Sequence, residues 1–360
     1  MGLLNKKQEK IKTRTMYTTS IFSLKRTVVV LLVTLMGCVI LSSCNQDEGT
    51  QLPINTIKDN KHILNFKVNL GSNWGEKTSG KKSLSRGTPY NYIVDPFGIY
   101  CGYYNAADVN FQTMNYMWNT EGGESETGWQ TAEAFTNPPM LKEMSFYAYY
   151  PYLHDEDTIR YIRFNNNDTL KVGPPFFDFV IPDSVPIQPD LMVATSQMKS
   201  DSLIKGDTIM LHFSHLLTAV RFTVDASVPK GILKEISIEN VSKGGSFYYE
   251  DGTNDWRALN DTLVSYTLKK EYNVGGAKVS LDDEDAFLMM PQFLGQDAQV
   301  RIVYDNGQVF NLTSSLAEKH WEKGKIVTYN IKINSLSYMT LTATIEPWEV
   351  GDTFNWNSSY

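Results

Sequence analysis

Leu64, Phe66, Val68 and Leu70 alternate with Asn65, Lys67 and Asn69. This period-two pattern predicts a strand with one face buried and the other wet. The pattern then stops. Residues 71–89, GSNWGEKTSGKKSLSRGTP, are small, polar and basic, and they predict an exposed loop of the kind proteases cut. From Tyr90 onward strand signals dominate. FGIYCGYY at 97–104 and MSFYAYYPY at 144–152 are runs of aromatic β-formers, and DLMVAT follows at 190–195.

The second half opens with TIMLHFSHLLTAVRFTVD at 208–225, which predicts two strands or one strand broken by a bend. Further strand patterns follow in LKEISIENV, LVSYTLKKEY, DAFLMMPQ, AQVRIVYDNGQVFNLT and IVTYNIKINS. Within YDNGQV, Asn306-Gly307 predicts a hairpin closed by a type I′ turn, because both residues tolerate positive φ. SLAEKHWEKGK predicts a single turn or a short helix. Near the C-terminus, Met339, Leu341, Ala343 and Ile345 alternate with Thr340, Thr342, Thr344 and Glu346, again a half-buried strand. Short strands with frequent turn signals predict an all-β chain of sandwich type. The polar QMKSDSLIKGD places a boundary near 200–207, dividing the chain into 62–205 and 206–360.

The N-terminal end follows different rules. An apolar run at 27–41 is about 15 residues long, short of the roughly 20 that cross a bilayer as a helix. It follows Lys25-Arg26 and a basic arm of Lys6, Lys7, Lys10, Lys12 and Arg14, which is the layout of a secretory leader. The run ends in LSSC at 41–44. This resembles a bacterial lipobox, which implies a leader of 1–43, acylation of Cys44 and a tether of 44–61. Several fatty chains on one residue give the durable anchoring that a single chain does not. The plainer alternative is an ordinary leader with an unrelated cysteine. A rival box, LMGC, ends at Cys38, but cleavage there leaves Val39-Ile40-Leu41 on the mature end. Gln46-Asp47-Glu48 resemble the acidic tag that directs lipoproteins to the outer membrane's outer face.

Removing the leader leaves 317 residues, and because the leader carries seven Lys/Arg and one Glu, the formal charge moves from −7 to −13. An acidic chain argues against nucleic acid as partner, since phosphate binding needs a concentrated basic face. Cys101, among aromatic and apolar neighbours, is expected to be a small buried hydrophobe, and no disulfide framework is available.

Catalytic patterns are missing. The chain has no phosphate-cradling glycine loop, nucleophile elbow or Cys/His metal spacing, and no metal or cofactor is expected. His212 and His215 stand three apart, which on a strand sends them to opposite faces. His215 is therefore expected to be a hydrogen-bonded structural residue. The acidic LDDEDAF at 281–287 is expected to be a solvated turn, with weak Ca²⁺ binding as the alternative. Asp followed by Ser/Thr and an aliphatic residue recurs, placing Thr158, Thr169, Ser184, Ser202, Thr208 and Thr262 in the same context. Turn-to-strand transitions account for most of these, and the triplet also resembles an O-glycosylation sequon of Bacteroidota periplasmic proteins.

Several motifs occur in a fixed order: FGIY at 97–100, FYAYYPY at 146–152, LMVAT at 191–195, LHFSHLLTAVRFTV at 211–224, FLMMPQ at 287–292, HWEKGKIVTYNIKI at 320–333 and IEPWEVGD at 345–352. Together with the lipobox they resemble the fimbrillin-like family of Bacteroidota, lipoprotein subunits of type V pili. The resemblance spans nearly the whole chain. It implies two tandem transthyretin-like β-sandwich domains and assembly by strand exchange after a trypsin-like protease removes the first strand. Carried onto this chain, the displaced strand is Leu64, Phe66, Val68 and Leu70. The cut is expected after Arg86, with Lys82 and Lys81 next. The candidate donor strand lies in 338–360, with Met339, Leu341, Ala343 and Ile345 on its apolar face and Trp348, Phe354 and Trp356 as large anchors. The partners implied are other fimbrial subunits and, through the lipid, the outer membrane, with a host or bacterial surface ligand in addition. A lipid-anchored glycan-binding sandwich is the alternative, since the chain has 20 Tyr and 7 Trp. A glycosidase would need two carboxylates facing across one cleft, which no spacing here predicts.

Overall fold

The computed structural model describes residues 61–69, 96–104, 112–153, 161–164, 174–249, 255–259, 261–281, 285–312, 316, 319–333 and 338–348. All of them fall in one unit, Asp59–Tyr360. In chain order the first strands are β1 (Lys61–His62), β2 (Asn65–Asn69), β3 (Phe97–Tyr104), β4 (Gln112–Ser125), β5 (Gly128–Thr131), β6 (Phe135–Thr136) and β7 (Glu143–Tyr150). They are followed by β8 (Ile162–Phe164), β9 (Phe176–Val180), β10 (Met192–Lys199), helix α1 (Ser200–Lys205), β11 (Ile209–His212) and β12 (Ser214–His215).

Eight of these strands make one sheet in the order β11-β2-β5-β4-β3-β7-β10-β12. Its two edge strands, β11 and β12, are separated in the chain by Phe213 alone. A sheet whose opposite edges belong to one short segment must curl until those edges approach, as in a barrel. Phe213 fills the seam, buried with its ring 5.6 Å from that of Phe97. The enclosed core takes every second residue of β7, Met144, Phe146 and Ala148, with Phe66, Ile99, Cys101, Ile209 and Leu211. The intervening Tyr147 and Tyr149 point the other way into a second, larger core. This burial on both faces explains why β7 reads as an almost unbroken apolar run.

The remaining strands are β13 (Thr218–Val224), β14 (Gly231–Ser242), β15 (Gly244–Tyr248), β16 (Asp255–Leu259), β17 (Leu263–Val274), β18 (Val279–Ser280) and β19 (Phe287–Met289). Then come β20 (Gln292–Phe293), β21 (Gln299–Tyr304), β22 (Val309–Leu312), β23 (His320–Trp321), β24 (Lys325–Ile333) and β25 (Met339–Pro347). A sheet ordered β18-β13-β24-β25, with β19 also on β13, and a sheet ordered β17-β14-β21-β22 both contribute to the second core. A further sheet, β16-β15-β9-β8, joins strands from either side of residue 205. Beneath it, Tyr249 donates its hydroxyl to the Ala148 carbonyl at 2.7 Å and packs on Tyr147. The chain is thus all-β, as its alternation predicts. Pairings in two sheets cross the 205/206 position: β2 with β11 and β10 with β12 in one, β9 with β15 in the other.

Two local expectations change. The Asn-Gly hairpin has no type I′ turn. Gly307 has a φ of +84° and Asn306 is not among the positive-φ residues. Gly307 N–H donates to the Tyr304 carbonyl and Tyr304 N–H to Gln308, giving a three-residue loop with glycine in the left-handed position. The segment at 200–205 is a helix, ended by Gly206 at φ +87°. Its Leu203 is buried in the barrel core, an apolar residue inside an otherwise polar stretch. Among its described residues, SLAEKHWEKGK holds a turn at Leu316, one of its two expected forms, and then strand β23.

Candidate functional site

The two strands singled out by alternation lie at contrasting positions. β2 is interior. It runs parallel to β11, with Phe66 opposite Ile209 and Val68 opposite Leu211, and antiparallel to β5, with Phe66 opposite Trp129. Leu64 and Phe66 are buried, Val68 is half-buried and Leu70 lies outside the described residues. Leu64 N–H donates to Thr131 Oγ1 and its carbonyl accepts from Thr131 N–H, while Phe66 meets Phe97 edge-on at 5.5 Å. Neighbouring strands stand about 4.8 Å apart. Without β2, β5 and β11 would therefore face each other across a slot about 10 Å wide, both edges unpaired and the floor aromatic.

β25 is an edge strand. It pairs antiparallel with β24 along its full length, from Ile333 opposite Met339 to Lys325 opposite Pro347. No strand lies beyond it among the described residues. Met339 is half-buried and Leu341 buried, but every residue from Thr342 to Pro347 is exposed, with Ile345 at 60%. Met339, Leu341, Ala343 and Ile345 share one face, as alternation requires, but the core covers only its start. Arg221 Nη2 holds Glu346 Oε1 at 2.6 Å. After the strand, Trp348 is buried, stacks on His215 with ring centroids 3.9 Å apart, and donates its backbone N–H to the Gly324 carbonyl. Phe354 and Trp356 lie outside the described residues.

His215 is the structural residue expected. Its Nδ1 is 2.7 Å from Oδ1 of buried Asp190. His212 is exposed on β11, and among the described residues no group of three His, Cys, Asp or Glu side chains is placed to hold a metal. In the acidic stretch at 281–287, Asp285 is buried and accepts from Lys270 Nζ at 2.5 Å and from the Tyr272 hydroxyl. Burial, and then this carboxylate, push the Tyr272 phenol up. Cys101 is buried and burial pushes its thiol up, which suits an inert packing role. Of the Ser/Thr triplets, Ser184, Thr208 and Thr262 are exposed and Ser202 is half-buried, while Thr158 and Thr169 lie outside the described residues. Cys44, Lys81, Lys82 and Arg86 lie outside them too.

Among the described residues most large aromatics are core, including Trp321, Tyr100, Tyr149 and Tyr329. One stacked pair is open to solvent: Phe293, 78% exposed, lies on His320 at 4.1 Å. Sequence reasoning also missed Met140 and Leu141, exposed by 71% and 85% at the tip of the turn before β7. The one local signal was two adjacent apolar residues following Pro138-Pro139.

These elements define an all-β protein with one interior and one edge strand near its ends, and with no group of three His, Cys, Asp or Glu placed to hold a metal among the described residues. The chain belongs to the fimbrillin-like family, whose profile matches residues 93–348. Among solved structures it is similar to a fimbrial protein from Bacteroides vulgatus, at 19% identity over 70% of this chain and 92% of that one, with a TM-score of 0.48. A putative cell adhesion protein from Bacteroides uniformis is similar at 17% identity over 81% and 99%, with a TM-score of 0.49. The fimbrial anchor protein Mfa2 from Porphyromonas gingivalis is similar at 9% identity over 81% and 98%, with a TM-score of 0.38. No curated protein matches the chain.

Proposed function

We propose that this protein is a non-enzymatic structural subunit of a cell-surface fimbria, or a lipoprotein attached to one, acting in adhesion. The uncleaved chain is held in the outer membrane by lipid on Cys44, and once cleavage has removed that end the chain joins its neighbours by strand exchange. Its partners are other fimbrial subunits. Family membership supports the fimbrial role, and β25 is the observation that carries the exchange: a nine-residue strand held by a backbone ladder while Thr342–Pro347 remain exposed. In a slot like that of β2, where Leu64 and Phe66 are buried, Met339 and Ile345 would be covered. Each large apolar side chain contributes about 1.5–3 kcal/mol on full burial, as an upper figure. Exchange therefore gains burial that the docked position does not provide.

Cleavage after Arg86, or at Lys82 or Lys81, frees β2 and opens the slot. The test is limited Arg-specific or tryptic proteolysis of the folded chain, with fragment masses and size analysis. A cut within 71–89, loss of the N-terminal fragment and growth of ladders support the proposal. An uncut chain, or a cut chain that stays monomeric, removes strand exchange and leaves an anchor or a glycan-binding lipoprotein. The exposed Phe293–His320 pair favours the glycan alternative, which predicts oligosaccharide binding lost in Phe293→Ala.

A further inference from the structure

Leu141 has a φ of +58°. Left-handed backbone is strained for a branched side chain, and glycine occupies it without cost. The surrounding contacts hold the strain in place. Leu141 N–H donates to Asp201 Oδ1 at 3.1 Å and Lys142 N–H to Ser200 Oγ at 2.9 Å, while Ser200 N–H donates to the Lys142 carbonyl at 2.8 Å. Three bonds thus fasten this turn to the start of α1. The result presents Met140 and Leu141 to solvent on a rigid support, with the partly exposed Ile204 one turn along α1 from Asp201. Strain kept where glycine would be cheaper, for a leucine that touches little of its own protein, points to a contact outside it.

The tip stands close to the point where the chain leads back to Cys44. β1 pairs with β6 so that Lys61 stands opposite Thr136, four residues before Met140. Four residues reach at most about 14 Å. The chain leading back to Cys44 therefore enters at the same pole as the tip. Seventeen steps separate Cys44 from Lys61, so no conformation carries the anchor further than about 60 Å from β1. We propose that in the uncleaved chain Met140 and Leu141 form a lipid wedge that dips into the bilayer surface holding the Cys44 anchor. This rests on the reading of Cys44 as the lipidated residue. The tether makes a weak insertion intramolecular, so two side chains suffice where they would fail in free solution. Charges of both signs stand beside the tip in the chain and on the helix fastened to it, Lys142 and Lys205 against Glu143 and Asp201, so the wedge needs no anionic lipid.

The test couples the chain from Cys44 onward, through the Cys44 thiol, to a maleimide-headed lipid in phosphatidylcholine vesicles. An environment-sensitive fluorescent amino acid is built in at position 140 or, as control, at the equally exposed position 293. Emission at 140 should shift to the blue and be quenched by brominated lipid several-fold more than at 293. Leu141→Asp should abolish the difference, and Leu141→Ile should keep it. Water-like emission at 140 on vesicles overturns the proposal. So does a blue shift produced in solution by adding unlabelled protein, which would make the occupant a second copy. Because coupling is imposed, failure here leaves native lipidation untouched; that reading falls instead if native Cys44 carries no acyl mass.

Discussion

The indole of Trp348 lies flat on the imidazole of His215, with ring centroids 3.9 Å apart and planes 7° from parallel. His215 is held in turn by buried Asp190, and Trp348 is the first residue past β25. A strand whose second half is exposed thus ends in a buried clasp. Trp348→Ala should cost about 3 kcal/mol, the lower end for a buried large aromatic. Hydrogen exchange at the β25 amides should speed up before any other strand. Unchanged protection in β25 would show that the ladder to β24 holds the strand without the clasp.

Ile345 separates stability from assembly. At 60% exposure, Ile345→Asp should change unfolding of the monomer by less than about 0.5 kcal/mol. The same substitution should block growth of ladders after cleavage, because it would place a carboxylate in the slot. Normal ladders from this variant would remove β25 as donor.

Phe66 gives the reciprocal case. Phe66→Ala empties part of the barrel core and should cost about 3–5 kcal/mol in thermal or denaturant unfolding. After cleavage between 71 and 89, the same variant should release its N-terminal fragment faster than the parent. Equal release rates would show that β2 is retained by its hydrogen bonds rather than by its aromatic contact.

Alkaline pH should unfold the protein through its buried tyrosines. Burial pushes Tyr329 up to about 12 and raises Tyr249, Tyr266 and Tyr272 as well. In the unfolded chain a phenol loses its proton near 10. Above that pH the unfolded state binds fewer protons than the folded one, so stability falls as pH rises. The contribution is intact below about 10 and is lost through about 12. Tyrosinate absorbance and loss of β-sheet circular dichroism should therefore rise together. Ionisation well before unfolding would mean that these phenols are accessible.

Leu141→Gly should leave stability unchanged or raise it by up to about 1 kcal/mol. Glycine removes left-handed strain of about 1–2 kcal/mol and returns part of it as chain entropy. A loss above about 1 kcal/mol would mean that the leucine side chain supports the fold.

Local pattern made individual strands legible. Leu64, Phe66 and Val68 alternate because one face of β2 meets the barrel core, and β7 reads as an apolar run because both its faces are covered. Partners were not legible. Parallel pairing of β2 with β11 brings together residues more than 140 positions apart, and neither strand carries a mark of the other. The same applies to β9 and β15, which bridge the expected division of the chain. Asn306-Gly307 predicted a tight turn, but Asp305 widened the loop by one residue and only Gly307 took the positive φ. In the terminal strand, alternation gave the shared face of Leu341 and Ile345 correctly. Depth of burial depends on what lies opposite, and no run of nine residues contains that.

The seam at Phe213 has a mechanical consequence. β11 leads within a few residues into β12 and β13, so tension entering from β13 passes through β12 into β11. Its parallel neighbour, whether β2 or a strand seated in that slot, is then loaded lengthwise. Hydrogen bonds pulled in this direction stretch together rather than opening one after another. A fibre built from such joints would resist shear far better than peeling.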